Sequence, residues 1–163
     1  MKSIIFDLDL TLVDSTIAEE ARSRRNWQLV YSLIPRFSLY PGMENVFQYI
    51  RSNEIKVAIV STAPSVYVQR VVNYFNIPVN TIIGYHDAPR KPSPAGMHLA
   101  MQRLNSVPSE TISFGDRAID ILASKNAGIY SVACIWGTKE RQQLLSSMPD
   151  NVINTPIEIN SLI

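Results

Sequence analysis

Five short apolar runs punctuate the chain: Ile4–Phe6, Val57–Val60, Thr81–Gly84, Thr111–Phe114 and Tyr130–Ile135. Their β-branched and aromatic make-up is that of buried strands. Between them, apolar residues recur at helical spacing. Met43, Val46, Phe47 and Ile50 follow i, i+3, i+4, i+7, as do Met97, Ala100, Met101 and Leu104; Val68, Val71, Val72 and Phe75 repeat the pattern. Pro64 and Pro94 suit first helical positions, with Ser93 as the N-cap of the second helix. Gly128 suits a left-handed helix end. Strands that alternate with helices predict an α/β fold with a mostly parallel sheet covered on both faces.

One segment breaks the alternation. Between Asp14 and Pro41 lies a helical stretch with no strand run after it. Thr16 and Glu19 have capping-box spacing, Trp27, Val30, Tyr31 and Ile34 form an apolar stripe, and Pro35 stops the helix. The pattern predicts one long helix and a loop over residues 15–40, inserted above the C-terminal end of the first strand. Arg22, Arg24, Arg25 and Arg36 make it basic, which fits either a solvated face or contact with an anionic substrate.

Composition narrows the class. A chain of 163 residues, 46% hydrophobic and 18% charged, matches a single soluble domain with a real core, taken as residues 1–163. The net charge of +1 gives no indication of a nucleic-acid surface. The single cysteine, Cys134, excludes an intrachain disulfide framework and reads as a core residue. No apolar run reaches the length needed to cross a bilayer. The first strand run begins so early that a leader has no room, so the expected location is cytoplasmic.

Polar groups then collect where an open parallel sheet binds its ligands, beyond the carboxyl ends of the strands. The first run ends in Asp7 and Asp9. If the strand persisted, both carboxylates would face one side, and two adjacent carboxylates need a cation, a shared proton or water. The second run ends in Ser61-Thr62. The loop after the third carries Arg90-Lys91. The fourth ends in Gly115-Asp116, with Asp120 one helical turn on. Each alone has a plain alternative: Ser61 or Asp116 as a helix cap, Lys91 as a solvated cation.

Together these residues resemble the haloacid dehalogenase superfamily, in its phosphoglycolate phosphatase-like group. Asp7-Leu8-Asp9-Leu10-Thr11 matches the Asp-x-Asp-x-Thr motif and continues into Val13-Asp14-Ser15. Ser61 matches the second motif, Lys91-Pro92 the third, and Gly115-Asp116 with Asp120 the fourth. The resemblance runs from Lys2 to about Trp136. It implies a Rossmann-like sheet with the five runs in spatial order 5-4-1-2-3 and a minimal helical cap. It also implies a Mg²⁺-dependent phosphatase acting on a phosphate monoester through a phosphoaspartyl intermediate on Asp7, with Asp9 as acid and base. Mg²⁺ would be held by Asp7, the backbone carbonyl of Asp9, and Asp116, with Asp120 bracing or bound through water. Thr11, Ser61, Thr62 and Lys91 would serve the phosphoryl group.

Three departures stand out. Leu10 occupies a position that is often Gly, Thr62 one that is often Asn, and Arg117 one that is often small. Arg117 is placed to pair with Asp120 or to reach substrate. His86 and Asp87, in the Lys91 loop, read as surface residues. The short cap implies an open cleft, a larger phosphorylated substrate, or a second copy of the chain completing the cap. Other chemistries fit less well. Asp9 argues against a dehalogenase, the absence of Lys from Ser15–Tyr40 against a phosphonatase, and the small cap against a phosphomutase. A non-catalytic phosphate-binding or regulatory module would be expected to lack Asp7, Asp9 or Asp116. The segment Thr138–Ile163 is expected to end with a helix and a packing element around Val152–Ile159.

Overall fold

The computed structural model describes residues 3–163; Lys2, where the resemblance begins, lies outside them. In chain order the elements are β1 (Ser3–Phe6), β2 (Val13–Asp14), α1 (Glu19–Ser23), α2 (Trp27–Leu33), β3 (Ser38–Leu39), α3 (Met43–Ser52), β4 (Lys56–Val60) and α4 (Ser65–Phe75). They continue as β5 (Thr81–Ile83), α5 (Ala95–Leu104), β6 (Thr111–Gly115), α6 (Ala118–Asn126), β7 (Tyr130–Cys134), α7 (Arg141–Ser146) and β8 (Asn151–Ile153).

The main sheet has the order β5-β4-β1-β6-β7-β8, and every pairing in it is parallel. The five expected strands thus take the expected order. β8 extends the sheet beyond β7, where only a packing element was expected. Its Val152 is exposed and Asn151 partly so, so it lacks the continuous apolar run that marks a central strand. The 3₁₀ helix Pro156–Ser161 follows it and buries Ile159.

β1 is sandwiched between β4 and β6 and is covered on both faces. Ile4 and Phe6 join a large cluster with Val57, Ile59, Val68 and Phe114. Ile5 points the other way, into a cluster with Val60, Met97, Ala100 and Leu104, as the two-residue period of a strand requires. Phe6 stacks on Phe114 with ring centroids 5.3 Å apart. Cys134 is a buried core thiol, as its sequence context indicates. Pro64 and Pro94 sit at N-cap positions, one residue outside the expected first helical turn. Ser93 Oγ accepts from the Ala95 N–H at 3.3 Å. Gly128 follows α6 with φ +72°.

The insert departs from expectation in form. It is not one long helix. α1 ends near Arg24, Arg25 adopts φ +55°, and Asn26 caps α2 by accepting from the Leu29 N–H. The expected capping box does not form. Thr16 opens a short 3₁₀ turn without a side-chain cap, its N–H donating to Asp14 at 3.1 Å. β2 and β3 pair antiparallel, closing the base of the insert into a ribbon. The insert lies on α4, with Trp27 tilted against Tyr67 at 5.6 Å and the Arg70 guanidinium 4.2 Å from the Tyr31 ring centroid. Among the described residues no helix is long and apolar enough to cross a membrane.

Candidate active site

β1 delivers Asp7 to the carboxyl end of the sheet, where the Asp7 N–H still donates to the Phe114 carbonyl at 3.0 Å. The strand does not persist through Asp9. The chain curls, with Leu10 at φ +64° and its N–H donating to the Val13 carbonyl at 2.9 Å. Leu10 thus adopts the conformation for which glycine would be the easier residue. The turn sends the two carboxylates to different partners.

Asp7 faces the sheet. Lys91 Nζ donates to Asp7 Oδ1 at 2.9 Å, to Asp120 Oδ1 at 2.5 Å and to the Val60 carbonyl at 2.9 Å. Burial alone would lower the Lys91 pKa, but Asp120 and Asp7 outweigh it and raise the value, so the ammonium stays charged. Asp7, Asp116 and Asp120 offer carboxylate oxygens within 4.8 Å of one another. Burial, reinforced by Asp7 and Asp120, pushes Asp116 up from 3.8 to about 9, against the hydrogen bond from Thr11. Burial likewise raises Asp120, with Lys91 opposing.

This cluster is short of positive charge. Lys91 serves two of its carboxylates, and Asp116 meets no cation among the described residues. A hard divalent ion with oxygen ligands would relieve the repulsion without protonating the acids, so the donor set fits Mg²⁺. Asp120 reaches the cluster because residue 115 is glycine: a Cβ there would lie 2.4 Å from Asp120 Cβ. Asp120 Oδ2 also accepts from the Arg117 N–H at 3.0 Å, bracing the start of α6.

Ser61 closes β4. Its Oγ accepts from the Ala63 N–H at 3.0 Å and does not cap α4, whose N-cap is Pro64. Its own O–H is therefore available to a ligand. Asp7, Asp9, Leu10, Ser61, Thr62, Lys91, Asp116 and Asp120 all line one cleft of about 330 Å³. Thr11 does not line it. Its buried hydroxyl donates to Asp116 Oδ1 at 2.9 Å, so Thr11 supports the acidic cluster, where a substrate contact had been expected. Arg117 pairs with Glu140 at 3.6 Å instead of with Asp120. His86 packs edge-on against Tyr85, and Asp87 accepts from the Gly84 N–H, both as surface residues.

A family model described as haloacid dehalogenase-like hydrolase matches residues 19–134. The chain belongs to the haloacid dehalogenase-like hydrolase family. The match takes in Ser61, Lys91, Asp116 and Asp120; Asp7 and Asp9 precede it. Relatives of this family member include a pyrophosphatase of Oceanobacillus iheyensis, 28% identical over 76% of this chain and 59% of that protein. A phosphoglycolate phosphatase of Colwellia psychrerythraea is 29% identical over 83% of this chain and 60% of that protein. The chain thus spans about three fifths of the length of these relatives. Among solved structures, a haloacid dehalogenase-like hydrolase from Streptococcus pneumoniae shares the fold, with a TM-score of 0.82 at 22% identity over 99% of this chain and 98% of that one.

Asp9 in this haloacid dehalogenase-like chain is held by the insert and α4. Ser15 Oγ donates to Asp9 Oδ1 at 2.5 Å, Tyr67 Oη to the same oxygen at 2.6 Å, and Arg22 Nη1 to Oδ2 at 2.8 Å. Of the insert's arginines, Arg22 alone lines the cleft. Arg24, Arg25 and Arg36 are exposed. Sequence reasoning did not single out Tyr67, although a hydroxyl beside the apolar Val68-Val71-Val72 stripe was a signal. It also left Thr138–Glu140 without a role. This loop folds over the site: Thr138 Oγ1 donates to the Asp116 carbonyl at 2.6 Å, Glu140 accepts from the Ala118 N–H at 2.9 Å, and Lys139 pairs with Glu19 of the insert.

Proposed function

We propose that this chain is a phosphatase that hydrolyses a phosphate monoester, with Asp7 as nucleophile and Mg²⁺ as cofactor. The observation that carries this reading is the convergence of Asp7, Asp116 and Asp120 within 4.8 Å, beside a lysine that touches two of them. The names of the relatives, phosphoglycolate phosphatase and pyrophosphatase, support phosphoryl chemistry at such a site.

The Asp7 carboxylate attacks phosphorus, and the bond from phosphorus to the leaving oxygen breaks. Asp9 gives its proton to that oxygen, then takes one from the water that attacks the phosphoaspartate. The bond between phosphorus and Asp7 breaks, and inorganic phosphate leaves. Ser61 Oγ–H and the Thr62 backbone N–H hydrogen-bond phosphoryl oxygens. Lys91 holds Asp7 in place and neutralises charge that builds on the transferring group. Asp7, Asp116 and the Asp9 carbonyl would hold Mg²⁺, with Asp120 behind them; when bound, the ion offsets repulsion between Asp7 and an anionic phosphate.

Hydrolysis of 4-nitrophenyl phosphate, with and without Mg²⁺, tests the reading. Asp7→Asn should remove activity by about a thousandfold or more, and the wild type should yield a hydroxylamine-sensitive phosphoaspartate at Asp7 by mass spectrometry. Full turnover by Asp7→Asn would overturn the mechanism. A screen of phosphorylated metabolites, phosphopeptides and nucleic-acid ends, run with measurement of solution mass, then identifies the substrate class and any second copy at the cleft.

A further inference from the structure

The Arg22 guanidinium comes from α1, in the insert, and has one protein anion within reach among the described residues: Asp9, at 2.8 Å. Its Nε is buried without an acceptor. A cation fixed for the sake of the insert itself would have its N–H groups taken up by the insert's own carbonyls or carboxylates. This one is committed to Asp9 instead. It also lies 5.9 Å from the Tyr67 ring centroid, and Tyr67 donates to the other Asp9 oxygen. Tyr67 is fully buried and backed by Trp27.

We infer that Arg22 and Tyr67 are positioning residues that hold the Asp9 side chain in one orientation at the cleft wall, where it serves the leaving group, and that the short insert contributes Arg22 to this task. The inference rests on the phosphatase reading, in which Asp9 serves the leaving group. Three donors from three segments reach two oxygens of one side chain, an arrangement that restricts rotation about the Asp9 χ angles. Ser15 and Tyr67 occupy Asp9 Oδ1, so the transferred proton is carried at Oδ2, which among the described residues Arg22 alone engages, and a carboxyl held in one orientation transfers it better than one that samples several. The insert is thus an outer wall anchored on α4, with the side chain of Arg22 reaching inward.

The test uses leaving-group dependence, which a merely structural role would not produce. A good leaving group such as 4-nitrophenolate needs little protonation, whereas an alkoxide needs it fully. kcat/KM reports the step in which the alcohol departs. Arg22→Gln and Tyr67→Phe, each folded by thermal denaturation, should lower kcat/KM for an alkyl phosphate by about ten- to a hundredfold. The loss on 4-nitrophenyl phosphate should be at least about tenfold smaller. In an Asp9→Asn background the same substitutions should add little, because the group they position is gone. Equal losses on both substrates, or full losses retained in the Asp9→Asn background, would overturn the positioning role while leaving the phosphatase reading intact. Wild-type turnover no higher than that of Asp7→Asn would remove both.

Discussion

Asp7 and Asp9 leave one strand end two residues apart, yet different parts of the molecule hold them. Asp7 belongs to the sheet: its neighbours are Lys91 from the loop after β5, Asp116 directly after β6 and Asp120 from the first turn of α6. Asp9 belongs to the insert and to α4, through Ser15, Arg22 and Tyr67. The first environment is short of positive charge and buried. The second supplies donors to a single carboxylate at the cleft wall. In the first, strand ends place Asp7 and Asp116, and Lys91 and Asp120 reach them from the following loop and helix. Side chains reaching across from packed helices fix the second.

The contrast is sharpest when each half is damaged separately. The largest stability loss should come from the sheet. Phe6 is fully buried and stacks on Phe114, so Phe6→Ala should cost about 3–5 kcal/mol in denaturant unfolding. It carries the register of β1 between β4 and β6, and through it the placement of Asp7. A loss near that of an ordinary exposed substitution would mean that the floor of the cleft is not set by the strand.

The acidic floor should also respond to pH and metal in a way the wall does not. Asp116 lies well above its ordinary value of 3.8, at about 9, through burial and the neighbouring carboxylates. A carboxyl whose folded pKa exceeds its unfolded pKa binds more protons in the folded state across that interval. Without metal, its contribution therefore falls as pH rises from 3.8 toward about 9. Asp150 and Glu158, both lowered by hydrogen bonds, act in the opposite sense, losing stability as pH falls through their depressed values, on the acid side of the pH range used for melting. Melting in EDTA should accordingly drop between pH 6 and pH 8.5, and the stabilisation by added Mg²⁺ should grow, since the ion binds ionised carboxylates. Asp116→Asn should raise the metal-free midpoint by about 2–4 °C, the shift that roughly 1 kcal/mol gives in a chain of this size, and abolish the Mg²⁺ increment. A midpoint that rises with pH in EDTA would contradict the assignment.

The same division explains what could be read from the residues alone. The strands of the floor are apolar runs, and the polar residues that follow them at the carboxyl end of the sheet stand out, so Asp7, Ser61, Lys91, Asp116 and Asp120 can be placed from the residues alone. The wall had no such marker. Nothing in Arg24-Arg25-Asn26 forbids a helix, yet the chain turns there with Arg25 at positive φ, and the second helix sets Val30 in the core and Trp27 against Tyr67. β8 was missed because an edge strand need not be apolar on both faces. Thr11 and Tyr67 were misjudged or overlooked for one reason: a hydroxyl's partner is set by long-range packing, which local pattern does not encode.

The smallest effect expected is also the one that separates the insert's arginines. Arg22 reaches Asp9, whereas Arg24 pairs with Glu20 one helical turn away, with side chains 74% and 76% exposed. Such a pair is screened by water and gains little beyond the entropy it costs to hold. Arg24→Gln should therefore change unfolding free energy by less than about 0.5 kcal/mol and leave turnover of an alkyl phosphate at the wild-type value. If instead Arg24→Gln weakened turnover as Arg22→Gln does, the outer face of α1 would belong to the substrate-binding surface, and the wall would act as a basic patch, with no special role for Arg22.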